Sequence, residues 1–166
     1  MQDESVTLAL VATLADQLKT RAQTLATAES CTGGLLAGAL TELPGSSAWF
    51  DRGWITYSNQ AKSQELNVPA ALIDTHGAVS EAVAYAMAEG ARSESGANYA
   101  VSVTGIAGPD GGSPDKPVGT VCFGWSTPTQ TKTATRYFQG DRQQIRIQSV
   151  RYALTALTAL LADDSL

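Results

Sequence analysis

A single histidine, His76, stands among 166 residues, and that scarcity narrows the chemistry at once. A Ser-His-Asp triad has one base to draw on, and it sits in the turn-like stretch DTHGAVSE, where a structural role is the simpler reading. Zinc sites built on two or more imidazoles are excluded. Cysteine is nearly as rare: Cys31 and Cys122 lie far apart with no CxxC spacing, so they read as buried reduced thiols. Asp and Glu are plentiful, but none falls in an EF-hand or paired-carboxylate pattern, so no metal and no cofactor are expected. No run of about 18 apolar residues is present, which excludes a spanning helix. The opening MQDESVTLALVATLADQ lacks the basic segment of a secretory signal and reads as a cytoplasmic start. Eleven basic residues are scattered through a chain of net charge −5, which argues against a phosphate-tracking nucleic-acid surface. Neither AESCTGG nor GIAGPDGG forms G-x-G-x-x-G, and Lys116 is outside any GxxxxGK[ST], so dinucleotide and P-loop sites are unsupported.

What is present reads as one domain over residues 1–166, with 43% hydrophobic and 16% charged residues. A chain of this size buries roughly 70% of its unfolded surface around one core. Val11, Leu14 and Leu18 recur at helical spacing over 5–21, with Ser5 as cap. TLATAES reads as a strand feeding the Gly33-Gly34 pair and a helix, LLAGALTEL. Such a helix start has unpartnered N–H groups and suits a phosphate or carboxylate. WFDRGWITYS reads as a second strand, residues 69–76 as a short helix, and SEAVAYAMAEGARSES as a helix capped by Ser80. YAVSVTG reads as a buried strand emptying into the loop IAGPDGGSPDKPVG, and GTVCFGWS and TKTATRYF form a hairpin about TPTQ. A last helix follows Asp141, with Ile147, Val150, Leu154, Leu157 and Leu161 on one face, directed at the sheet or at a second copy. These elements predict a mixed sheet with crossover helices.

Chemistry concentrates in PGSSAWFDRGWITYSNQAKSQEL, where Ser47, Tyr57 and Lys62 place a hydroxyl, a phenol and an amine within sixteen positions. Serine needs a base, and a lysine serves when burial keeps it neutral. Ser46 and Ser30 compete with Ser47 for the same role. Cys31 is a rival nucleophile, since a thiol at a helix start can have a depressed pKa, and Glu29 or a lysine would complete a Cys-Glu-Lys amidase. Arg142, in the stretch GDR, suits a phosphate clamp. Thr104 and Gly105, where a strand ends, are candidate substrate contacts.

The segments AESCTGG, GSSAWFDRGWITYSNQAK, HGAVSE, VSVTGIAGPDGGSPDKPVGTV and FQGDR resemble the CinA carboxy-terminal domain family over nearly the whole chain. The resemblance implies a three-layer α/β/α sandwich with a mixed, mostly parallel sheet of about five strands. It implies hydrolysis of nicotinamide mononucleotide to nicotinate mononucleotide and ammonia, without metal, by Ser47, Tyr57 and Lys62. Around that small-molecule substrate it places Ser30, Thr32, Gly33, Gly34, Ser46, Thr104, Gly105, Gly108 and Arg142. A homo-oligomer, a dimer or dimer of dimers, is also expected. The alternative is a non-catalytic nucleotide-binding or partner module of the same fold, linked to competence.

Overall fold

The computed structural model describes residues 4–164. Strands β1 (Leu25–Glu29), β2 (Phe50–Ile55), β3 (Tyr99–Gly105), β4 (Thr120–Ser126) and β5 (Thr131–Tyr137) form one sheet in the order β2-β1-β3-β4-β5. The β1–β2 and β1–β3 pairs are parallel, whereas β3–β4 and β4–β5 are antiparallel. Four strands therefore point one way and β4 alone runs against them, a mixed sheet as expected, in which two of the four neighbouring pairs are parallel. Parallel neighbours require helical crossovers, while the four residues between β4 and β5 suffice for a hairpin.

Helices α1 (Glu4–Arg21), α2 (Leu35–Thr41) and α6 (Arg142–Asp164) cover one face; α3 (Asn59–Leu66), α4 (Ala70–His76) and α5 (Glu81–Ser95) cover the other. The strands sort their side chains between these layers with period two. Along β3, Tyr99, Val101 and Val103 enter the core under α1 and α6, while Ala100 packs on the α5 side and Ser102 Oγ donates to Ala84 O of α5 at 2.6 Å. Along β4, Val121, Phe123 and Trp125 face α6, and Gly124 faces α5, where an added Cβ would lie 2.5 Å from Ala84 O. Large residues thus fill one interface and small ones let α5 sit close on the other. Gly90 of α5 continues this contact, because a Cβ there would fall 2.0 Å from Leu66 O at the end of α3.

Helix ends follow their sequence signals with one exception. Ser80 accepts from Val83 N, and Asp141 and Gln144 form a reciprocal cap at 2.8 and 2.9 Å before α6. Ser5, expected as a cap, lies within α1. The apolar stripe of α6 belongs to the core, with Ile145, Val150, Leu154, Leu157 and Leu161 buried. Ile147 is rotated off this stripe and lines a surface groove of about 830 Å³ with Leu8 and Leu35.

Candidate active site

In a sheet whose neighbouring strands run parallel, residues that follow those strands collect on one edge. Ser30 follows β1, Thr56 and Tyr57 follow β2, and Thr104 closes β3. Lys62, on the first helix after β2, reaches back beneath this edge. It is 1% exposed, and its Nζ lies 3.1 Å from Ser30 Oγ, 2.9 Å from Thr56 O and 3.4 Å from Tyr57 O. No carboxylate forms an ion pair with it among the described residues; the ion pair found there joins Arg52 and Asp51. Burial accordingly lowers the Lys62 pKa from its ordinary 10.5, with the nearby Cys31 thiol opposing. Three acceptors around one ammonium suit the charged form. The neutral amine fits equally, donating to the two carbonyls and accepting from the Ser30 hydroxyl.

The expected Ser47–Lys62 pair is not formed within the chain. Ser46 and Ser47 occupy a 3-10 turn, Ser46–Ala48, that enters β2, and the next residue, Trp49, accepts from Leu25 N at the start of β1. Lys62 works at the far end of β2, roughly 17 Å of strand away. Ser47 is exposed there, whereas Ser30 is 8% exposed and hydrogen-bonded to Lys62. Tyr57 approaches Lys62 through its backbone carbonyl. The residue is 59% exposed, and its hydroxyl accepts from Arg142 Nη2 at 3.0 Å. The same guanidinium donates to Gly108 O at 2.7 Å, tying the first turn of α6, the end of β2 and the loop after β3 around the mouth of the site.

The glycine turn is the second departure from expectation. The start of α2 is not free for a ligand, because the protein's own Glu29 fills it. This carboxylate is fully buried and accepts from Thr32 Oγ1 at 2.6 Å, Gly34 N at 3.2 Å, Leu36 N at 2.9 Å and Ala37 N at 3.0 Å. Alternation along β1 explains the division of labour: Glu29 points into the α2 layer and Ser30 toward α3. Thr32, Gly33 and Gly34 therefore serve the turn: Gly33 N donates to Ser30 O at 3.0 Å, and both glycines have positive φ. Thr104, also buried, donates from Oγ1 to Ala78 O at 2.9 Å, fixing the end of β3 to the chain entering α5. Gly105 leaves no room for a side chain against Val121, Thr120 O and Cys31 Sγ.

Cys31 is not an activated thiol. Burial pushes it up to about 12, against weaker opposing effects that include Arg146 and Lys62. His76 is exposed at the end of α4, where its carbonyl accepts from Lys116 Nζ at 2.7 Å. No three His, Cys, Asp or Glu side chains converge on a metal-sized space among the described residues. Sequence reasoning passed over Arg146, half-buried on α6, which donates from Nε to Cys31 O and from Nη2 to Thr32 O, each at 3.1 Å. Its four-residue spacing from Arg142, on one helix face, was the available signal.

The geometry places a buried serine–lysine pair at the edge of an α/β/α sandwich, and that fold is shared with known proteins. The CinA C-terminal domain model matches residues 7–161. The chain is 49% identical over 151 residues to the nicotinamide-nucleotide amidohydrolase PncC of Pseudomonas putida, covering 91% of this chain and 94% of that one. It is 52% identical over 141 residues to the PncC of Escherichia coli K12, covering 84% and 86%. Among solved structures, the competence damage-inducible protein A of Klebsiella pneumoniae superposes with a TM-score of 0.91 at 44% identity, covering 94% of this chain and 97% of that one. The chain belongs to the CinA C-terminal domain family.

Proposed function

We propose that this protein is an amidohydrolase that converts nicotinamide mononucleotide and water to nicotinate mononucleotide and ammonia, with Ser30 as nucleophile and Lys62 as its base. The observation that carries the reading is the 3.1 Å contact between Lys62 Nζ and Ser30 Oγ, in a setting that lowers the lysine pKa and offers it no carboxylate. The substrate class comes from the two PncC relatives, which this chain matches over most of their length.

Neutral Lys62 takes the Ser30 proton as Oγ attacks the amide carbon, forming a C–O bond and a tetrahedral oxyanion. The N–H of Cys31, which lies against its own thiol in the structure, supplies one donor to that charge once the oxyanion forms. Collapse breaks the C–N bond, the lysine proton leaves with ammonia, and the acyl-serine remains. Water then attacks it, giving its proton to Lys62; collapse returns that proton to Ser30 and frees the carboxylate product. With Glu29 holding the α2 start, the substrate phosphate is met by Arg142, which keeps N–H donors beyond those given to Tyr57 and Gly108. Tyr57 lies at the same mouth, exposed for contact with the nucleotide.

The reading extends to one catalytic domain over 1–166, working in the cytoplasm as a homo-oligomer. Exposed Val6, Leu8, Leu35 and Ile55 support the assembly, which sedimentation would measure. Incubation of the purified protein with nicotinamide mononucleotide should release ammonia, and Ser30→Ala should lower that rate by about 10³-fold or more. A Ser30→Ala variant with wild-type turnover would reject the nucleophile assignment, and wild-type protein releasing no ammonia would reject the substrate.

A further inference from the structure

Two groups from opposite layers of the sandwich hold the short turn that carries Ser30. Lys62 grips the serine hydroxyl from the α3 side. From the α6 side, Arg146 donates to two successive carbonyls of the turn, Cys31 O and Thr32 O, at 3.1 Å each, across 115 and 114 residues of sequence. The turn is also held by Glu29, which accepts from Thr32 Oγ1 and Gly34 N, and by Ser30 N donating to Val103 O of β3, but these bonds leave the Cys31 carbonyl to Arg146. Between β1 and α2 its internal backbone bonds are Gly33 N to Ser30 O and Leu35 N to Thr32 O.

Two features show that the sequence is shaped around this contact. Gly33 has φ +56, and a Cβ there would lie 3.2 Å from Arg146 Nη2, so the guanidinium rests where a side chain would otherwise stand. Arg142 and Arg146 also put two positive charges in the opening turns of α6, whose first turn has no acidic residue. Arg142 opposes the positive end of the helix dipole there, offset by the Asp141 carboxylate that accepts from Gln144 N, and Arg146 lies one turn further in. Arg142 is accounted for at the mouth of the site; Arg146 has the Ser30 turn as its counterpart. A planar guanidinium delivering two N–H groups in fixed directions orients the Cys31–Thr32 and Thr32–Gly33 peptide planes together. The Ser30–Cys31 peptide, which carries the Cys31 N–H and adjoins the Ser30 side chain, is next to the first of these planes, so holding them limits how far it can turn.

We infer that Arg146 is a positioning residue for catalysis: through the carbonyls of Cys31 and Thr32 it holds Ser30 in register with Lys62. This rests on the Ser30–Lys62 reading above. Arg146 reaches the reaction through the turn and is not required to touch the substrate, so its loss should appear in kcat and spare KM. A displacement of about 1 Å at a nucleophile lowers rate by about 10²-fold.

The test compares Arg146→Ala, Arg146→Lys, Arg146→Gln and Ser30→Ala with the wild-type protein, using nicotinamide mononucleotide and ammonia release. Arg146→Ala should lower kcat by about 10²-fold with KM within about threefold, and added guanidinium ion should restore part of the loss. Arg146→Lys should recover only part, since one ammonium cannot reproduce the two-pronged contact. If Arg146→Ala does not fold, Arg146→Gln, which keeps a shorter donor without the guanidinium fork, should show the same split between kcat and KM. Arg146→Ala with kcat within threefold of wild type overturns the inference, as does a loss carried wholly by KM. Ser30→Ala at full turnover removes the underlying nucleophile reading whatever Arg146 does. An inactive Ser30→Ala beside an unaffected Arg146→Ala removes the positioning role alone.

Discussion

Replacing Lys62 with methionine keeps the apolar stem of the side chain and removes its terminal nitrogen, and the surroundings set the size of the effect. A general base contributes about 10² to 10⁴ in rate, so kcat should fall by that factor if Lys62 takes the Ser30 proton. Stability should move far less. Thr56 O, the buried carbonyl that accepts at 2.9 Å, loses its donor, at about 1–3 kcal/mol. The 3.4 Å contact to Tyr57 O is long and weak. Removing an ionisable group from a buried position acts in the opposite direction. The net change in melting temperature should therefore stay within about 10 °C, measured beside turnover. The pH dependence provides a second readout. Because the folded-state pKa of Lys62 lies below its ordinary 10.5, the folded protein releases this proton before the unfolded chain does. Between those two values the unfolded state holds more protons, so this group's contribution to stability rises with pH; below the lower value the burden of the buried charge is fully present. Wild-type stability relative to Lys62→Met should thus increase toward alkaline pH, and log(kcat/KM) should climb by about 1 per pH unit below the folded-state pKa. A variant retaining more than about a tenth of wild-type turnover refutes the assignment. So does a wild-type rate that decreases steadily from about pH 6 to pH 10.

Ser47→Ala, on an exposed turn at the other end of β2, should leave turnover within about twofold, and an inactive, folded variant would return the nucleophile to that turn. Glu29→Gln puts an amide nitrogen among groups that all donate to the native carboxylate; a loss of about 2–3 kcal/mol, or about 4–12 °C in melting temperature, is expected by calorimetry. Gly90→Ala drives a Cβ against the Leu66 carbonyl and should cost about 3 kcal/mol in denaturant unfolding, whereas Gly38→Ala, with nothing within 4 Å, should be neutral or stabilising.

Much of the architecture was legible because local signals agreed with one another. The β4–β5 hairpin, the Ser80 and Asp141 caps and the apolar face of α6 each follow from residue type and spacing. The partner of Lys62 was harder to read because proximity in sequence misled. Ser47 precedes β2 and Lys62 follows it, so the strand itself holds them apart, whereas Ser30 lies 32 positions away and is brought back by parallel pairing of β1 with β2. The role of Glu29 was hidden for a related reason: an acidic residue before a glycine turn does not reveal which side of the strand it leaves. Once Glu29 and Ser30 are assigned to alternate sides, one becomes a helix cap and the other faces the lysine.

The small side chains beneath α5 have a consequence for how this site can change. Ser102 and Gly124 meet α5 backbone directly, Gly90 meets the end of α3, and none admits a larger residue without moving a helix. The packing beneath α5 is thus a poor place to seek altered selectivity, since enlarging it trades away the fold. The opposite wall is different: Arg142 and Tyr57 are exposed, and the loop over 106–119 is largely surface. Variation in what the pocket accepts has room on that wall, so a library confined to it can explore new amides while the serine and lysine remain undisturbed.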